Sequence, residues 1–105
     1  MPEDNQKMQQ VNHLIRLLKR GDAKSLTDLR NLLGIKSNDL AHQIGVSRQT
    51  LELWESDREQ PPGLHYARWK IKLSSYIDER LSALLGIDGN EVKHKYWALV
   101  WDFIG

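Results

Sequence analysis

Cysteine is absent from these 105 residues, and the chain holds only three prolines and a single phenylalanine. Without thiols there can be no disulfide and no thiolate metal site, and the composition fits a reducing compartment. A dominant charge is missing too: 15 Lys and Arg stand against 14 Asp and Glu, for a formal net charge of +1. A protein that coats nucleic acid is usually far more basic, so any contact with a polyanion has to come from local placement of charge. No apolar run approaches the roughly 20 residues that cross a bilayer. The polar opening Met-Pro-Glu-Asp-Asn-Gln-Lys leads into no signal-peptide core. A soluble, cytoplasmic chain without a membrane partner is the expectation, and the length suits one compact domain over 1–105.

What is present is helical periodicity. Apolar residues recur at spacings of three and four, and no stretch alternates with period two. This predicts an all-α, compact domain of about six helices. The first spans 4–20, with Met8, Val11, Leu14, Ile15 and Leu18 on one face, and Gly21-Asp22 ends it. The second spans 25–33, with Ser25 as N-cap, Leu26, Leu29, Leu32 and Leu33 as its buried side, and Gly34 at its exit. A third begins with Ser37 as N-cap, carries Asp39 in its first turn and stops at Gly45. Ser47 caps a fourth over 48–55. The polar loop Ser56-Asp57-Arg58-Glu59-Gln60-Pro61-Pro62-Gly63 resists helix, and long helices over 64–85 and 90–104 follow.

The informative stretch runs from Asp39 to Glu55. Two short helices meet there at a tight turn. Ala41 is small enough for the helix axes to approach, and Gly45 can adopt the positive φ that a corner needs. Leu40, Ile44, Val46, Leu51 and Trp54 fall on the inward side, which leaves Arg48, Gln49, Glu52 and Leu53 facing outward.

This pattern resembles the helix-turn-helix of the Cro and phage-repressor (Xre) type, a large group of bacterial regulators with a lambda-repressor-like fold. The resemblance covers 26–55, taking in Leu29-Arg30-Asn31-Leu32-Leu33-Gly34-Ile35 as the family's first helix and its glycine exit. It continues weakly at Leu84-Leu85-Gly86-Ile87. Arg30 and Glu55 stand where that family has an arginine and a glutamate, so the resemblance implies a structural ion pair between them. The chain departs from the pattern in three places. Asp57 replaces the usual glycine two residues after the glutamate, Leu53 replaces a commonly polar base-facing residue, and the segment 56–85 is longer than the family norm.

The implied function is a sequence-specific transcriptional regulator, a repressor, binding double-stranded DNA as a homodimer with helix 48–55 in the major groove. Arg48 suits guanine O6 and N7, and Gln49 suits adenine N6 and N7. Thr50, Ser37, Ser47 and Arg58 are candidates for phosphate contact, with Arg68, Lys70 and Lys72 beyond them. Two readings stay open for Glu52, which either accepts from cytosine N4 or repels phosphate to set spacing. Leu53 either meets a thymine methyl or belongs to a protein interface. The apolar 90–104 helix, with Trp97 and Trp101 four residues apart, either forms the dimer seam or closes the core of one protomer. The alternative function is a protein-interaction module on the same fold, an antitoxin-like neutraliser or an adaptor of a larger complex. Histidines 13, 42, 65 and 94 lack metal-ligand spacing, and no nucleophile elbow or phosphate loop occurs. Neither enzymatic activity nor a cofactor is expected.

Overall fold

The computed structural model describes residues 2–85, and these form five α-helices with no strand among them. They are α1 (Pro2–Arg20), α2 (Ala23–Leu32), α3 (Ser37–Ile44), α4 (Arg48–Glu55) and α5 (Gly63–Leu85). The sixth expected helix, over 90–104, lies outside the described residues together with Trp97 and Trp101.

Each helix buries one stripe. Val11, Leu14 and Leu18 of α1 face inward as their spacing requires, and Leu17, not assigned to that face from the sequence, joins them. On α5 the core positions Trp69, Leu73, Ile77 and Leu81 recur every four residues, which puts them on one face. That face packs on α1, α2 and α3, while α4 packs on α2 and α3. Leu26, Leu29, Leu40, Leu51, Leu73 and Leu81 are fully buried. Each such side chain stabilises the fold by about 1.5–3 kcal/mol over its exposed state. α5 is the beam on which the shorter helices are set.

Three local expectations are corrected. Ser25 does not cap α2: Asp22 does, accepting from the Ser25 backbone N–H at 3.2 Å and from its hydroxyl at 2.6 Å. A carboxylate has two oxygens to offer and takes both donors, which draws the helix start back to Ala23. Ser37 is the first residue of α3, and the cap position belongs to Lys36, whose side chain makes no cap bond. Leu32 is 49% exposed. It lies about 120° round the helix from Leu26, whereas Leu33 returns to within about 20° and is half-buried against the core.

The corner between α3 and α4 is three residues long. Gly45 has φ +91°, and its N–H donates to the carbonyls of Ala41 and His42 at 2.9 and 3.2 Å. The Val46 N–H also reaches Ala41 O, at 3.0 Å, so the Ala41 and His42 carbonyls at the end of α3 are satisfied. Ser47 then caps α4, accepting from the Thr50 N–H at 3.1 Å. At the far end of α4, Asp57 repeats the Gly45 conformation with φ +60°. Its N–H bonds Trp54 O at 3.1 Å, and the Arg58 N–H bonds Leu53 O at 2.9 Å. Both ends of this eight-residue helix are closed.

Candidate nucleic-acid interface

α4 divides cleanly into an inner and an outer side. Leu51 and Trp54 are buried and anchor it to the core. Arg48, Gln49 and Glu52 are exposed, Thr50 and Leu53 half-buried. The inner side is held by an aromatic contact, with the Trp54 and Trp69 rings 6.0 Å apart at 36°. A short helix would fray alone; this one is fastened along its back.

The strongest fastening is polar. Arg30, in the last turn of α2, donates from Nε to Glu55 Oε2 at 2.7 Å and from Nη2 to Oε1 at 3.2 Å. Its Nη1 donates to the Ile35 carbonyl at 2.8 Å, in the α2–α3 connection. The two side chains are only 14% and 8% exposed. A glutamate at a helix C-terminus opposes the macrodipole, and the two-pronged guanidinium offsets that. The Thr27 hydroxyl adds a bond to Ala23 O at 2.7 Å and a longer one to Glu55 O at 3.5 Å. α2, the turn after it and the end of α4 thus meet on one arginine.

The outer side carries a different charge pair. Arg48 Nε donates to Glu52 Oε1 at 2.8 Å, one turn along α4, with the side chains 64% and 50% exposed. The Ser47 and Thr50 hydroxyls lie 2.8 Å apart, so both are engaged at the helix start. A shallow depression lined by Gln49, Glu52, Leu53, Ser56 and Arg58 continues this surface around the end of the helix. Arg58 itself is exposed.

Of the residues singled out in the sequence, Ser47, Arg48, Gln49, Thr50, Glu52, Leu53 and Arg58 therefore gather on or beside α4. Ser37 stands apart on the first turn of α3, half-buried, with Lys36 exposed before it. Arg68 is exposed on α5. Lys70 is engaged elsewhere: its ammonium sits 4.5 Å from the centroid of the Tyr66 ring. The Tyr66 hydroxyl donates to Gly21 O at 2.7 Å, pinning the α1–α2 corner to α5. Burial raises the Tyr66 pKa, and the Asp22 charge pushes it the same way. Sequence reasoning missed that link, as it missed the Gln43 Nε2 bond to the Tyr76 hydroxyl that ties α3 to α5. Partners 45 and 33 residues apart leave no local signal.

Among the described residues no group of His, Asp or Glu is placed to hold a metal ion, and no helix is long and apolar enough to cross a membrane. Comparison with protein-family models, with curated proteins and with solved structures yields no match for this chain.

Proposed function

We propose that this chain is a sequence-specific DNA-binding transcriptional regulator, with α3 and α4 as a helix-turn-helix of the Cro and phage-repressor type and α4 as the helix that enters the major groove. The observation that carries the reading is the two-sidedness of α4. Its back is fixed by Leu51, Trp54 and the Arg30–Glu55 pair, and its front shows hydrogen-bonding side chains to solvent from the first two turns. A groove about 12 Å wide admits one such helix, and base edges are read from its N-terminal residues. Arg48 and Gln49 stand there. Ser47, Thr50 and Arg58 flank them as groups for phosphate oxygens.

An eight-residue helix contacts few base pairs, so a single head supplies little discrimination. Two heads on one symmetric dimer, spaced about 34 Å apart on one face of the duplex, solve that problem through effective concentration. A homodimer on a palindromic site is therefore part of the proposal. Occupying a promoter is sufficient for repression.

Binding to a randomised duplex library, repeated across salt concentrations, tests this. The expected result is an enriched palindromic motif and an affinity that falls by orders of magnitude between about 50 and 200 mM salt, as phosphate contacts release counterions. Absence of duplex binding at about 50 mM salt overturns the proposal. It would favour the second reading, a protein-interaction module on the same fold, which draws support from half-buried Leu53 within the depression at the end of α4.

A further inference from the structure

We infer that Arg48 and Glu52 act together as a single reader of a G·C base pair, an assignment that rests on the DNA-binding reading above. A solvent-exposed ion pair contributes little to stability, because water screens it and two long side chains lose freedom. What the Arg48–Glu52 pair does instead is fix which edge of the guanidinium is on offer. Glu52 Oε1 takes the Nε edge at 2.8 Å. Nη1 and Nη2 have no hydrogen bond among the described residues, so the terminal fork is the part left to project outward.

The resulting pattern is specific. The fork gives two parallel donors, and Glu52 Oε2, which has no hydrogen bond among the described residues, adds an acceptor one helical turn along α4. In the inferred contact these groups are set along the base-pair edge in the order donor, donor, acceptor. The major-groove edge of G·C presents guanine N7 and O6 as acceptors and then cytosine N4 as a donor, which is the complement. An A·T pair places the N6 donor of adenine next to its N7 acceptor, so one prong of the fork would face a donor. Glu52 has a second effect of opposite sign on affinity: its charge sits against the phosphates, so the pair gives up non-specific attraction for discrimination.

The experiment is a randomised-duplex selection with the full chain and the variants Arg48→Ala, Glu52→Ala and Glu52→Gln, with affinities measured on the selected site and on an unrelated duplex. Wild type is expected to prefer G·C at one position of each half-site by roughly 5- to 150-fold, the range of a good bidentate contact. Arg48→Ala abolishes that preference. Glu52→Ala lowers it about tenfold while binding to the unrelated duplex tightens, two changes that a merely structural role would not produce in opposite directions. Glu52→Gln, which can still accept from Nε, retains more of the preference than Glu52→Ala. Because both side chains are exposed, all variants should keep the wild-type melting transition. A G·C preference at that position unchanged in Glu52→Ala overturns this inference and leaves the DNA-binding reading standing. Loss of duplex binding by wild type itself overturns both.

Discussion

Arg30 shows how much a single side chain can carry. Its three hydrogen bonds reach two chain segments beyond α2, and each acceptor depends on the planar, forked guanidinium. Glu55→Ala would leave that charge largely buried, with the Ile35 carbonyl as its one remaining partner among the described residues, at a cost of about 3–5 kcal/mol. Arg30→Ala should cost a similar amount, and the double variant far less than the sum. Urea denaturation of the three variants checks this, and additive losses would mean that the two groups are not coupled. Arg30 and Glu55 were legible in advance because a resemblance supplied the pairing; composition and spacing alone would not have joined residues 25 apart. Asp57, a departure from the family's glycine in the sequence, keeps the turn for a chemical reason. Its short polar side chain lets it occupy the left-handed conformation that glycine provides at Gly45.

At the scale of an element, helix type and number within 2–85 followed from periodicity, and the limits agree to within about two residues. Caps and faces were harder. Asp22 and Ser25 both favour helix starts, and spacing alone does not say which accepts and which donates. The hydroxyl donates to the carboxylate, so Asp22 is the cap. That bond lowers the Asp22 carboxyl below its ordinary value of 3.8, against the smaller opposing effect of burial. A depressed carboxyl stabilises the fold in its ionised form. Its contribution is complete above the ordinary value and disappears as pH falls through the lowered one. Asp22→Asn should therefore be less stable than wild type at neutral pH, with the gap closing below about pH 4. Thermal melts across that range measure it, and a constant gap would show that the charge is irrelevant. Leu32 was misplaced for a geometric reason: it lies about 120° round the helix from Leu26, beyond the edge of the stripe that α2 buries, and Leu33 returns to that stripe.

For the molecule as a whole, the near-zero net charge is less decisive than its arrangement. Arg30 and Glu55 cancel each other under α4, and Lys70 is held over Tyr66, so neither end of the charge count describes the outer surface. The outward set on α4 was legible because an eight-residue amphipathic helix has only one exposed face. The link from Arg48 to Glu52 was available in their spacing of four and needed coordinates to show which nitrogen is engaged.

Trp54 has a consequence of an optical kind. It stands directly behind the exposed face of α4, and its indole lies 6.0 Å from that of Trp69 on α5. Two chromophores so close share excitation, and the resulting ellipticity depends on their separation and mutual angle. The chain therefore carries an internal goniometer for the tilt of α4 against α5. The difference in near-ultraviolet circular dichroism between wild type and Trp54→Phe contains that coupling together with the Trp54 band itself, read at wavelengths beyond the absorption of nucleic-acid bases. If α4 docks as a rigid part of the core, the usual behaviour of a preorganised surface, this difference should be the same with and without duplex. A changed difference spectrum would mean that the helix turns in its seat as it binds.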